Sequence, residues 1–412
     1  MSRRAVLWVA FAAVHSFVAV LGFVLPNEPM GDLDKVYEPW SRAVLGGGWI
    51  MGVHESWVYP QLALVPLVVV QLVAQPFALL LPAAGAFAVA WAIVVTVADA
   101  LAFALLVGRA RSTGRRRAAW YWLAFVALLG PIAMYRVDAV TVPLAVAGCL
   151  WLIGRPWLGG ALLAVATWIK VWPAALVAAA LVTVRRRWAV LGAGAAVTAA
   201  VVLAVAAAGG LGHLLGFVGG QTGRGLQIEA PVSAMFLWPA ALGAPGVAAY
   251  YDTGLLTYQV SGPGVDAVSA AMTPLLVTAV VGILVVAVVK RVRAASFVAL
   301  FPALSLALVM ALIVVNKVGS PQFYLWIVVP LIAGLVLERD RWWATGVLGL
   351  VVAALTQLVY PVVYAGLAVM PNPAIVAVLV LTIRNLAAIA LFVWSLVLLA
   401  RVRTRRAVPV AV

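Results

Sequence analysis

The chain has one cysteine, three histidines and twelve acidic residues among 412 positions. A lone Cys149 excludes an intrachain disulfide, and its apolar surroundings suit simple packing. The histidines, His15, His54 and His213, are scattered without zinc-ligand spacing, so no metal site is expected. The acids gathered beyond the first apolar segment leave a divalent ion as the open alternative. There is no phosphate-cradling glycine loop and no dinucleotide fingerprint, so no cofactor is expected. Only 9% of the residues are charged, which leaves nothing from which to build a separate soluble domain. No short-period repeat is present.

Apolar residues make up 66% of the chain, and the mean hydropathy is +1.15. Such a composition belongs to a polytopic, all-α integral membrane protein. The net charge of +15 does not imply nucleic acid, because the membrane divides it. All but seven of the 27 Lys and Arg fall in short gaps on one side, which the positive-inside bias assigns to the cytoplasm and to anionic lipid. The seven are Lys35, Arg42, Arg136, Lys170, Arg224, Lys317 and Arg384. They lie on the other side, or inside apolar stretches near it, where a basic residue is costly. Nine of the twelve acids, Glu28, Asp32, Asp34, Glu38, Glu55, Asp138, Glu229, Asp252 and Asp266, share that side. Cations converging there suggest an anion site facing outward.

The basic clusters fix one topology. Arg3 and Arg4 precede an apolar segment read as a retained signal anchor. An outer loop follows at 26–59. Residues 60–82 are broken by Pro60, Pro66, Pro76 and Pro82, and crossing parity makes them interfacial or re-entrant. Residues 158–184 lie between Arg155 and Arg185–Arg187, too few for two full spans, so a hairpin is expected with Lys170, Trp172 and Pro173 at its apex. A second long outer region, rich in Gly and Pro, runs over 209–267. About eleven to thirteen crossings result, in one transmembrane catalytic domain over 1–412 with both termini cytoplasmic in the plasma membrane. Loop 26–59 is the expected catalytic region and 209–267 the expected substrate-binding region.

The first loop contains Gly31-Asp32-Leu33-Asp34-Lys35-Val36-Tyr37-Glu38-Pro39-Trp40 and later Trp57-Val58-Tyr59-Pro60. If extended, Asp32 and Asp34 face opposite ways, and one points into a cavity. This pattern resembles the polyprenyl-phosphate-sugar-dependent glycosyltransferases of the GT-C superfamily, and most of all glycosyltransferase family 87, the actinobacterial α-mannosyltransferase group. Thr167-Trp168-Ile169-Lys170-Val171-Trp172-Pro173 resembles the family's Lys-x-x-Pro hairpin. Arg224-Gly225-Leu226-Gln227-Ile228-Glu229 resembles its Arg-Gly-Leu-Gln-x-Glu loop. Asn316-Lys317-Val318-Gly319-Ser320-Pro321-Gln322-Phe323-Tyr324 resembles its Lys-x-x-Ser-Pro-Gln-Tyr segment. The chain departs from the family at Ala230, where Ser is usual, at Gln61, where a second Pro is frequent, and at Val36, with the tyrosine one place later at Tyr37.

The resemblance implies a GT-C-like bundle and a polyprenyl-phosphate-linked mannose donor used on the outer face. The acceptor would be a glycolipid or glycan of the cell envelope, and arabinose or glucose remain alternative sugars. The chemistry suits the residues. Inverting transfer needs a base for the acceptor hydroxyl. A phosphate leaving group needs no acid partner but does need fixed cations. Asp32 is the first candidate base and Asp34 the second. Lys170, Lys317 and Arg384 are the candidate phosphate ligands, with Asn385 beside the last; pairing of Arg384 with Asp99 is the alternative. Tyr37, Trp57, Tyr59, Gln322 and Tyr324 are candidate substrate contacts. Arg224 and Glu229 either contact sugar or pair with each other, and the same choice holds for Arg136 and Asp138. His54 with Glu55 is a weaker candidate contact. A transporter of an anionic lipid or sugar is the competing reading, but no paired broken helices in two matching halves support it.

Overall fold

The computed structural model describes residues 1–404; Arg405 and Arg406, the end of the expected terminal basic cluster, lie outside the described residues. A backbone in lipid must satisfy its own polar groups, and helices do so within one segment. Among the described residues, seven helices are long and apolar enough to cross a bilayer: Arg3–Val24, Ala83–Val107, Arg187–Ala207, Val265–Val292, Phe297–Val314, Arg339–Val362 and Ile375–Ala400. The chain is an all-α polytopic membrane protein. Ser2, Ser112 and Ser296 each cap a helix, accepting from Ala5, Arg115 and Ala299 N–H at 3.2, 3.4 and 3.4 Å.

Phe297–Val314 is apolar on every face and buried along almost its whole length. Ile375–Ala400, Val265–Val292, Ala174–Thr183 and Val328–Leu337 pack around it. Arg187–Ala207 and Val265–Val292 are mostly uncovered and offer their apolar surface to lipid. Asp99, inside Ala83–Val107, pairs with His15 of Arg3–Val24 at 3.0 Å, and the other His15 nitrogen lies 3.0 Å from the Phe11 carbonyl. Asp99 is therefore not the partner of Arg384.

Shorter helices make the approach to the site. Asp138–Trp151 and Pro156–Ile169 have 14 residues each. At ~1.5 Å per residue they reach about 21 Å, less than the ~30 Å hydrocarbon core. Pro156–Ile169 stops where Lys170 turns extended, and Pro173 starts Ala174–Thr183. The chain thus doubles back with Lys170, Trp172 and Pro173 at the bend, the expected hairpin. Residues 60–82 divide into Gln61–Ala63, Leu64–Ala74 and Phe77–Leu79, none long enough to cross alone.

Residues 209–267 hold an element that the Gly- and Pro-rich reading did not anticipate. Strands β1 (Ala248–Asp252) and β2 (Thr257–Ser261) form an antiparallel hairpin, pairing Ala248 with Ser261 through to Asp252 with Thr257. The Asp252 carboxylate closes its turn, accepting from Gly254 and Leu255 N–H at 3.0 and 2.9 Å. Leu226–Ile228 adds to the β2 edge through Val260 N–H to Leu226 O (3.0 Å) and Ile228 N–H to Tyr258 O (3.1 Å). Leu226, Ile228, Phe236, Ala249, Val260, Ala377 and Leu381 form a second small core, which seats this cap on the Ile375–Ala400 helix.

Candidate active site

The first loop leaves Arg3–Val24 through Asn27 and Glu28, both with positive φ (61° and 49°). Tyr360 ties this bend down, its hydroxyl within 3.2 and 3.0 Å of the Asn27 and Glu28 carbonyls, while the Asn27 amide donates to Pro361 O at 2.5 Å. The chain then enters a π-helical turn, Leu33–Tyr37, which runs into the helix Glu38–Leu45. The segment is helical, not extended, because Leu33 and Tyr37 bury on one side of the turn. Asp32 and Asp34 nevertheless part company. Asp32 Oδ2 lies 3.3 Å from Arg136 Nε and its side chain is 39% exposed. Asp34 is exposed to solvent. Lys35 pairs with Glu28, and that hydrogen bond raises the lysine's pKa.

Arg136 is buried and held on several sides: it donates to Pro29 O at 2.8 Å, Tyr135 O at 3.0 Å and the Tyr360 hydroxyl at 3.3 Å. A guanidinium fixed this way presents one edge to Asp32 at a set angle. It does not pair with Asp138. Asp138 begins the Asp138–Trp151 helix, fully buried, and accepts from Trp326 Nε1 at 2.6 Å. Its other oxygen faces Lys170 Nζ at 3.5 Å. Trp172 completes the support by donating to Thr141 Oγ1 at 2.9 Å and stacking on Trp326 at 5.7 Å and 7°. Lys170 lies 4.3 Å over the Tyr59 ring and in the field of the Asp32 carboxylate.

An aromatic wall backs the loop. Tyr37 stacks on Trp91 at 5.3 Å and its hydroxyl is 3.3 Å from that of Tyr59. Trp57 meets Trp40 and Tyr59 edge-on at 5.3 and 5.4 Å. Tyr37 and Trp57 are buried, so they shape the wall, whereas half-buried Tyr59 borders the charged residues. His54 is exposed and accepts from Ile50 N–H at 3.0 Å, a local turn contact.

Glu229 and Arg384 form a further ion pair, at 3.2 Å, and here both partners are buried. Arg384 donates to the Glu229 carboxylate, to Glu229 O (3.4 Å) and to Asn385 Oδ1 (2.9 Å), and its guanidinium sits 4.4 Å over the Tyr324 ring. The expected phosphate ligand is thus fully enclosed, and Asn385 and Tyr324 serve it. Glu229 pairs with Arg384 and not with Arg224. Burial raises the Glu229 carboxyl above its ordinary range, against the pull of the Arg384 guanidinium. Gln227 latches the neighbouring segment: its N–H donates to Lys317 O at 3.0 Å and its Oε1 accepts from Gly319 N–H at 3.2 Å. Gly319 lies directly against the Ala230 backbone, leaving no room for a β-carbon. Gln322 accepts from Ser320 Oγ at 2.6 Å. Lys317 is buried beside this latch.

The structure therefore gathers Asp32, Tyr59, Arg136, Asp138 and Lys170, with Tyr37 and Trp57 behind them. It sets Glu229, Tyr324, Arg384 and Asn385 in an adjoining clamp. Sequence reasoning missed Tyr360, Trp326 and Thr141. Tyr360-Pro361 interrupting an apolar run was the one available signal for the first; the other two are ordinary helix residues until the fold places them. An anion could approach between the half-exposed Asp32–Arg136 pair and the Lys170 hairpin.

The family model for glycosyltransferase family 87 matches residues 57–257, just under half of the chain. The matched stretch includes Trp57, Tyr59, Arg136, Asp138, Lys170, Arg224 and Glu229, while Asp32, Lys317 and Arg384 lie outside it. Among curated proteins none matches the sequence. The chain resembles that family, and the match supports a glycosyltransferase.

Proposed function

We propose, with the likeness to glycosyltransferase family 87 as premise, that this membrane protein is an inverting glycosyltransferase. It takes a sugar, mannose first among the candidates, from a polyprenyl-phosphate donor. It passes the sugar to a glycolipid or glycan acceptor of the cell envelope, on the face opposite the basic clusters. Asp32 takes the acceptor hydroxyl proton as the new bond forms at the anomeric carbon, and the phosphate departs with the electron pair of the broken bond. No second carboxyl is needed on a leaving group already this weakly basic. Tyr59 borders the sugar, the Lys170 hairpin supplies positive charge, and Asp138 and Trp326 set the lysine's position. No metal or other cofactor takes part in this reading.

One observation carries it: Asp32 is the half-exposed carboxylate beside an arginine fixed by three other acceptors, while Asp34 points away into solvent. That is how a base differs from a buried structural acid: it is oriented, yet open to a hydroxyl. The test is transfer in membranes of a host lacking related enzymes. Radiolabelled polyprenyl-phosphate-mannose is supplied with an envelope-lipid extract, with arabinose and glucose donors in parallel. Wild type and Asp34→Asn should make a labelled product and Asp32→Asn should not. Untouched donors in every wild-type arm would overturn the donor assignment, and transport across vesicles would then be measured.

A further inference from the structure

The basic residues around the site are not equivalent. Arg136, Lys170 and Arg384 each face a carboxylate, at 3.3, 3.5 and 3.2 Å. Lys317 is engaged beside the Gln227 latch. Arg224 differs from all four. It forms no ion pair among the described residues, and its buried Nε has no hydrogen-bond partner; the Arg136 Nε shares the second property but lies 3.3 Å from the Asp32 carboxylate. Burial pulls its pKa below the ordinary arginine value, and only the Tyr59 hydroxyl opposes this. Arg224 is half-buried; partial removal of a guanidinium from water without a counter-charge is unfavourable, and an anion brought to it offsets that cost.

The surrounding backbone keeps Arg224 in place. Leu226, Gln227 and Ile228 are pinned to β2 and to the 316–319 segment by the bonds described above. Gly225 lies so close to the Gln259 side chain that any β-carbon there would collide with it. A side chain at 225 would displace the Gln259 amide, which bonds within the β-hairpin to Asp252 and Tyr250. Arg224 also lies within electrostatic range of the Tyr59 hydroxyl. The same ring lies under Lys170, and its hydroxyl contacts Tyr37.

We infer that Arg224, and not Arg384, is the residue that holds the phosphate of the sugar donor, with Lys170 across Tyr59 as the second cation. This rests on the glycosyl-transfer reading and adds to it the identity of the phosphate anchor. A planar guanidinium offers two parallel N–H groups to phosphate oxygens; Arg384 is fully buried and each of its nitrogens is already bonded to Glu229 or Asn385, so it is not open to a donor phosphate in this way.

The test measures binding, not turnover. Full-length protein in nanodiscs is titrated with polyprenyl monophosphate, with the uncharged polyprenol, and with a nucleotide-diphosphate sugar. Wild type should prefer the polyprenyl phosphate to polyprenol, and Arg224→Ala should lose about tenfold or more of that preference. Arg224→Lys should fall between, and polyprenol binding and melting temperature should stay unchanged. Arg224→Gln serves where the alanine variant does not fold. A preference that survives both neutral variants overturns the anchor while leaving the lipid donor standing. Arg224-dependent binding of the nucleotide sugar alone supports the phosphate anchor and overturns the lipid donor. Wild type that binds neither phosphate ester overturns both.

Discussion

Two ion pairs of the same chemistry stand near each other and have different consequences. Asp32–Arg136 leaves its carboxylate 39% exposed, whereas Glu229–Arg384 is closed, with side-chain exposures of 3% and 0%. In the open pair the arginine is the fixed partner and the acid is available. In the closed pair every polar atom of the arginine is committed to the cap or to its own helix. The open pair is suited to chemistry, and the closed one holds the second outer region against the last helix.

The comparison can be broken at either pair. Asp32→Asn keeps the shape of the loop and removes the proposed base, so transfer should fall about 10²–10⁴-fold with melting temperature held. An unaffected rate would move the base elsewhere. Arg384→Met should act in the opposite sense. It strands Glu229 in a buried site, at a cost of about 3–5 kcal/mol, and denaturant or thermal melts in detergent should register it. Adding Glu229→Gln should recover part of the loss; if the double variant is no more stable than the single, the two residues are not a clamp.

A smaller effect sharpens the Lys170 side. Trp326→Phe removes the indole N–H from buried Asp138 and should cost about 1–3 kcal/mol, accompanied by a raised KM as the lysine loses its fixed partner. Loss of stability without any KM change would separate Asp138 from the site. The smallest effect is expected from Asp34→Asn, within about 0.5 kcal/mol in stability and with near-parental transfer, since the side chain is exposed.

Hydropathy and charge along the chain were enough to read the long apolar helices and the 158–184 hairpin with Lys170 at its bend, because solvation of charge is a local property of the sequence. The motifs of the 224–229 and 316–324 stretches lie side by side in the structure, joined through Gln227. Their internal roles were not legible. Arg136 and Asp138 are two residues apart, yet a turn and a helix start send them to different partners. Gln227 and Gly319 look like substrate-loop residues and prove to be a latch. The hairpin Ala248–Ser261 was hidden because its strands are short and gain their pairing from Leu226–Ile228 as well as from each other.

By itself, then, the sequence determined an all-α membrane protein and the long apolar helices of which it is built. The tertiary structure alone decided which acid is open, which arginine is enclosed, and that Arg224 forms no ion pair among the described residues. The reason is physical: hydropathy and helix formation act along neighbouring residues, whereas ion pairing and burial depend on distances between residues far apart in the chain, as with Arg384 and Glu229.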